Sequence, residues 1–193
     1  MDPIIISIDG PIGSGKSTTL NELRKLGYKC FTQNLEEWDP YLKLFYENPT
    51  RWAFTLELKV LHFMYEQYLR IKTIKTNEIV FVECAPFAPL IFTTLQRRLN
   101  YMTELEYNLF KSIFESLNWK SDLNIILTAD ICTLRERVAK RHDAFSIPES
   151  YLISLQSEYE NINRLGKYET INTDQNLRDT IYNILRVVKT KFV

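Results

Sequence analysis

Short runs of β-branched residues alternate along this chain with longer stretches whose apolar positions recur at helical spacing. "IIISI" at 4–8 is apolar at nearly every position, the pattern of a strand buried on both faces. A glycine-rich turn follows, and "STTLNELRKLG" reads as a helix stopped by Gly27. "YKCFT" at 28–32 predicts a second strand, and "DPYLKLFYEN" a short helix with Asp39 as cap and Pro40 in the first helical position. Pro49 opens a long segment crowded with Trp52, Leu56, Leu58, Val60, Leu61, Phe63 and Met64. A helix apolar on more than one side is expected to lie buried between the core and something else.

The second half repeats the alternation. "EIVFVE" at 78–83 predicts a strand ending in a carboxylate. Helices are expected over 88–99 and 103–117, the second opened by a capping box of Thr103 and Glu106. "DLNIILTAD" is a strand, and "TLRERVAKRH" a basic helix with Thr133 and Glu136 as another capping box. Ser146, Pro148 and Glu149 sit in helix-start positions before "YLISLQSEYENI"; "YETIN" and "NLRDTIYNILRVVKT" give a last strand and helix. This order predicts an α/β fold, a parallel sheet of about five strands with helices on both faces. Ligands in such sheets bind at the carboxyl ends of the strands, so the glycine-rich turn, Glu83 and Asp130 should share one edge.

Composition narrows the class. The 193 residues suit one domain spanning 1–193, and five glycines with seven prolines leave little room for linkers. Lysine plus arginine equals aspartate plus glutamate at 24 each, so no global field draws the chain to nucleic acid or an anionic membrane. Cys30, Cys84 and Cys132 are widely spaced and read as reduced thiols; His62 and His142 lie too far apart for a His/Cys metal cluster. "MDPIIISIDG" has too little apolar length for a signal peptide or a membrane span, so the expected address is intracellular and cytoplasmic.

"GPIGSGKS" at 10–17 matches G-x-x-x-x-G-K-[ST], with strand before and helix after. Its glycines permit tight turns and close backbone approach to phosphate oxygens. Amides from Gly13 onward form an anion nest at a helix N-terminus, Lys16 brings charge to the β- and γ-phosphates, and the Ser17 hydroxyl suits Mg2+. Gly10, Pro11, Ile12, Gly13, Ser14, Gly15, Lys16, Ser17 and Thr18 are therefore the expected ATP-binding residues. No guanine-reading N-K-x-D occurs, and the size favours a small P-loop kinase with an arginine-bearing lid at about 135–147.

Beyond this loop, "LEEW" at 35–38, "LFYENPTRWAF" at 44–54, the strand ending in Glu83, "LRERVAKR" at 134–141 and "IPESYLISLQSEYE" at 147–160 carry a resemblance over most of the chain. The sequence resembles the deoxynucleoside kinases related to thymidine kinase 2, deoxycytidine kinase and the herpesvirus thymidine kinases, as a divergent member, viral or otherwise. The resemblance implies ATP- and Mg2+-dependent phosphorylation of a deoxynucleoside 5′-hydroxyl, in the host cytoplasm if viral. It places Tyr46 at the sugar 3′-hydroxyl, Trp38 and Phe45 in the nucleoside pocket, and Glu83 at a water-mediated magnesium site. Arg137 and Arg141, with Arg135 and Lys140 nearby, fall among lid arginines, and Asp143 at a sugar-contacting acid. Family members usually pair as homodimers, for which the aromatic-rich faces of 49–74 and 103–117 are candidates.

The departures are specific. Counting back from Trp38, Gln33 stands where the family has its general-base glutamate, and an amide accepts no proton. Glu36 or Glu37 serve only if the loop is drawn differently, and both also suit surface positions. Cys84 and Ala85 replace the family's arginine and serine. Glu57 replaces a base-reading glutamine; ionised, it offers acceptors only and favours an edge with two donors such as guanine. Alternatively Glu57 balances Arg51 or Lys59. Two rival functions stay open: a monophosphate kinase of thymidylate-kinase type, which needs no base, and a non-catalytic nucleotide-binding relic.

Overall fold

Burial on both faces selects the β-branched run 4–8 as a strand, and it becomes the centre of the sheet. The structure, a computed structural model, describes residues 2–33, 37–74, 78–117, 119–140, 147–162 and 167–192. In chain order the elements are β1 (Ile4–Asp9), α1 (Lys16–Lys25), β2 (Lys29–Phe31), α2 (Asp39–Glu47), α3 (Pro49–Lys72) and β3 (Ile79–Glu83). Then come α4 (Ala88–Arg98), α5 (Glu104–Leu117), β4 (Leu123–Thr128), α6 (Ile131–Ala139), α7 (Glu149–Glu160), β5 (Glu169–Asn172) and α8 (Leu177–Phe192).

The five strands pair in the order β2-β3-β1-β4-β5, and every pairing is parallel. Chain order reverses at β1, which has β3 on one side and β4 on the other. Such a switch point leaves a crevice beyond the carboxyl ends of the strands. Alternation along β1 assigns the two faces. Ile6 and Ile8 pack with Leu20 and Leu23 of α1 and with Ile181, Ile184 and Val188 of α8. Ile5 faces the other way, towards Ile71 of α3 and Trp119. The long helix α3 runs along α2, α4 and α5, which accounts for its several apolar sides.

Helix starts differ from expectation in two places. The first helical residue of α2 is Asp39 itself, with Trp38 before it, and Asp39 pairs with Lys43 at 2.6 Å instead of capping. The Thr133–Glu136 capping box does not form, because α6 already begins at Ile131. Asp174, just past β5, replaces it from outside: its carboxylate accepts from the Asp130 backbone N–H at 3.0 Å and from Thr133. The Thr103–Glu106 box does form, with reciprocal bonds of 2.8 and 3.2 Å. For α7, Pro148 precedes Glu149 at the start, while Ser146 lies outside the described residues.

Candidate active site

The turn between β1 and α1 is built almost wholly from backbone. Gly10 and Gly13 have φ of 142° and 88°, and both lack room for a side chain. A Cβ on Gly10 would come within 2.3 Å of the Leu127 carbonyl oxygen, and one on Gly13 within 2.8 Å of that of Leu134. The loop is thus pressed against β4 on one side and α6 on the other. Lys16 reaches back over it, its ammonium donating to the carbonyls of Gly10 at 2.7 Å and Pro11 at 3.1 Å. That places a cation at the mouth of a turn whose N–H groups open α1.

Glu83 joins this loop to the rest of the crevice. One carboxylate oxygen accepts from the Ser17 hydroxyl at 2.7 Å, the other from the Gln33 backbone N–H at 3.0 Å. Hydroxyl and carboxylate oxygens are the hard donors that magnesium takes, with water and phosphate oxygens completing the shell. Among the described residues no cluster of three or more His, Cys, Asp or Glu can hold a metal, so any such ion would depend on those additional oxygens. Glu37 faces Lys59 at 4.0 Å, and Glu36 lies outside the described residues.

Asp9 was not singled out from the sequence, yet it sits fully buried beneath the loop. Tyr159 of α7 donates to it at 3.0 Å, tying that helix to the end of β1. Burial pushes the Asp9 carboxyl up, and the Lys16 ammonium opposes that rise. The readable signal was a carboxylate ending an apolar strand directly before a glycine. Cys84, where an arginine was expected, has φ of 69° and is buried; burial and then Asp9 hold its thiol well above the usual range.

Arg137, expected among the lid arginines, is held here by protein groups around the phosphate loop. Its guanidinium donates to the Thr173 carbonyl at 2.6 Å, the Thr173 hydroxyl at 2.9 Å and the Gly13 carbonyl at 3.4 Å. It therefore braces the phosphate loop against the turn after β5. Arg135 pairs with Glu149 at 3.0 Å on the surface. Arg141, His142 and Asp143 lie outside the described residues, so of the lid only 135–140 and Ile147 are described. Asp130 does reach the strand-end edge, as the residue before α6.

From Lys16, Ser17 and Glu83 a cavity of about 520 Å³ extends between α2, α3, α4 and α7. Gln33, Trp38, Phe45, Tyr46 and Glu57 all line it. Gln96, Phe92 and Tyr151 line it too and were not foreseen. Glu57 balances neither Arg51 nor Lys59: Arg51 lies over the Trp52 ring at 4.6 Å and Lys59 faces Glu37. Instead the buried Glu57 receives the Gln96 side-chain N–H at 2.5 Å. Burial pushes its carboxyl up to about 8, against the lowering effect of that bond, so near neutral pH it is mostly protonated. The expectation of an ionised, acceptor-only Glu57 is corrected accordingly. Desolvation, then the neighbouring Glu57 carboxyl, likewise raises the Tyr151 hydroxyl well above the phenol range.

Comparison with known proteins agrees with this geometry. Residues 6–188 match the family model described as deoxynucleoside kinase. A kinase-like protein of Invertebrate iridescent virus 6 is 35% identical over 159 residues, covering 80% of each chain. Deoxyguanosine kinase of Bacillus subtilis is 32% identical over 161 residues, 80% of this chain and 76% of its own length. Among solved structures, deoxyadenosine kinase from M. mycoides superposes with a TM-score of 0.85 at 23% identity, over 96% of this chain and 99% of that one. At that identity the superposition speaks for the fold.

Proposed function

The chain belongs to the deoxynucleoside kinase family, and we propose that it transfers the γ-phosphoryl group of ATP to the 5′-hydroxyl of a deoxynucleoside. The observation that carries this reading is the single cavity joining Lys16 and Ser17 to Trp38, Phe45, Tyr46 and Glu57. Donor phosphate and acceptor nucleoside would meet where Glu83 links Ser17 to Gln33.

Each residue then has a part. The loop amides from Gly13 and the Lys16 ammonium hold the donor phosphates and spread the charge of the moving group. Ser17 and Glu83 would hold Mg2+, which supplies charge neutralisation between the phosphates when bound. Tyr46 and the aromatic walls from Trp38 and Phe45 orient the sugar and base. Arg137 positions the loop through Gly13, and Arg141 and Asp143 are assigned to the lid and the sugar by resemblance alone. Gln33 takes no proton, so rate comes from positioning and electrostatics, which a loose phosphoryl-transfer transition state allows. Exposed Leu105 and Leu109 on α5 support pairing of two copies, which sedimentation checks.

Incubation with radiolabelled ATP and magnesium, against each deoxynucleoside and each deoxynucleoside monophosphate, tests the reading. Label is expected on the deoxynucleosides. Label confined to monophosphates, or bound ATP with no transfer, overturns it.

A further inference from the structure

One buried carboxyl stands where three segments of the site converge. Asp9, the last residue of β1, is fully buried. Lys16 opens α1 and closes the loop between them through the carbonyls of Gly10 and Pro11. On a second side Cys84 follows Glu83 directly, and its φ of 69° is a left-handed turn that a non-glycine residue adopts at a cost. The Ala85 N–H after that turn favours the Asp9 carboxylate, as does the Gly10 N–H. From the third side Tyr159 of α7, itself buried, donates to Asp9 Oδ1 at 3.0 Å. Asp9 Oδ2 has no hydrogen-bond partner among the described residues. An oxygen buried in that state costs stability instead of supplying it, which points away from a purely structural carboxyl.

We propose that Tyr159 is a positioning residue for phosphoryl transfer: its hydroxyl holds the Asp9 carboxyl in place, so that the Lys16 ammonium stays over the phosphate loop and is not drawn down onto Asp9. This deepens the kinase reading above and rests on it. Asp9 and Lys16 attract each other, yet the ammonium gives its bonds to the Gly10 and Pro11 carbonyls. Oδ2 is the free acceptor on which a direct ion pair would form. In a water-poor site such a pair competes strongly with a phosphate for the same cation. Transition-state charge is stabilised by donors already standing in place, so a cation that drifts towards Asp9 costs rate. The Tyr159 bond fixes Oδ1 from the side of α7 and thereby keeps the carboxyl from turning to the ammonium. Tyr159 has no place on the cavity wall, where α7 is represented by Tyr151, so its effect reaches the reaction through Asp9.

A double-mutant cycle tests this, because a residue that acts through another loses its effect once that other is neutral. Steady-state transfer from ATP to the deoxynucleosides and equilibrium dialysis of ATP are measured for the unaltered protein, Tyr159→Phe, Asp9→Asn and the double variant. Tyr159→Phe should lower kcat about tenfold and ATP affinity about threefold, with KM for the deoxynucleoside within about twofold. In the Asp9→Asn background, where no carboxylate can capture Lys16, the same substitution should change kcat and ATP affinity by less than about twofold. A kcat for Tyr159→Phe within about twofold of the unaltered protein, or an equal loss in both backgrounds, overturns the proposal and leaves the kinase reading standing. Loss of the folded circular dichroism spectrum by Tyr159→Phe means that the hydroxyl serves the fold, and overturns it too. Transfer by the unaltered protein to no deoxynucleoside overturns the kinase reading, and the dialysis then judges the Tyr159 tie alone: weakening confined to the Asp9 background supports it, and no weakening ends it.

Discussion

The two ends of the cavity recognise their ligands by opposite means. At the phosphate end the chain folds a continuous stretch, 10–17, so that backbone amides and one ammonium do the binding. At the other end, α2, α3, α4 and α7 send in between one and four side chains each. The first design tolerates almost no added volume: the Cβ positions of Gly10 and Gly13 are already occupied by neighbouring carbonyls. The second is bounded by ring contacts, such as Phe45 with Tyr46 at 5.1 Å and Trp38 with Phe63 at 5.4 Å, and the buried, hydrogen-bonded pair Glu57 and Gln96 lies in its wall. One end should therefore fail by losing charge or backbone shape, the other by gaining or losing a proton.

The largest effect belongs to the base end. Glu57 has a folded-state pKa of about 8 against 4.5 when exposed, so the native protein holds a proton that the unfolded chain has released between those values. Stability from this group is complete below about pH 4.5, declines as pH rises, and is gone above about 8. A shift of that size corresponds to a loss on the order of 5 kcal/mol. Calorimetry from pH 5 to 9 should show the unfolding temperature falling, and Glu57→Gln should flatten most of that slope. Parallel curves for the two proteins would place the titration elsewhere, Asp9 being the other buried carboxyl whose pKa is raised.

At the phosphate end the corresponding probe is Lys16→Met. Removing the ammonium while keeping most of the stem should lower kcat by about 10²–10³-fold and leave the unfolding temperature within a few degrees. A large fall in stability instead would mean that the bonds to Gly10 and Pro11 chiefly hold the loop shut. Gly13→Ala separates shape from charge. Its new methyl would press on the Leu134 carbonyl at 2.8 Å and occupy a φ of 88°, at a cost of about 2 kcal/mol. Thermal unfolding reads this directly, and Gly15→Ala is its control: φ there is 95°, but the nearest atom is Arg137 Nη1 at 3.8 Å. Equal losses at the two positions would remove the packing part of the argument.

This contrast also explains what the sequence could tell. A loop that acts through contiguous backbone is spelled out by contiguous residues, which is why 10–18 could be assigned by spacing. The parallel sheet covered by helices was legible from the same local patterns, whereas its strand order came only with the structure. Gln96 had no such signal. Its period along α4 marks it only as inward-facing, and its bond to Glu57 exists because α4 lies against α3. The pKa of Glu57 was hidden for the same reason, since burial by three other helices exists only after folding. Arg137 shows another contact that spacing does not reveal. A motif-matched arginine was assigned to phosphate, whereas the turn after β5 presents Thr173 near enough to take up its donors.

Gln33 stands where the two ends meet, and it provides the smallest test and the most discriminating one. Its backbone N–H is fixed by Glu83 at 3.0 Å, so the residue is held beside Glu83 whatever its side chain does. Its side chain lines the same cavity as Lys16 and Ser17. Gln33→Glu changes an amide into a carboxylate of nearly equal size and adds an acceptor for the proton of the sugar hydroxyl. General-base help is commonly worth 10²–10⁴-fold where geometry is ideal. Here Glu83 lies close by, and two neighbouring carboxylates disfavour ionising together, which trims the benefit. A rise in kcat of about tenfold is expected, with KM for the deoxynucleoside little changed and the rate climbing with pH as the new carboxyl ionises. If kcat stays constant or falls, the 33 side chain does not face the acceptor, and the reaction runs on the electrostatics of the phosphate end alone.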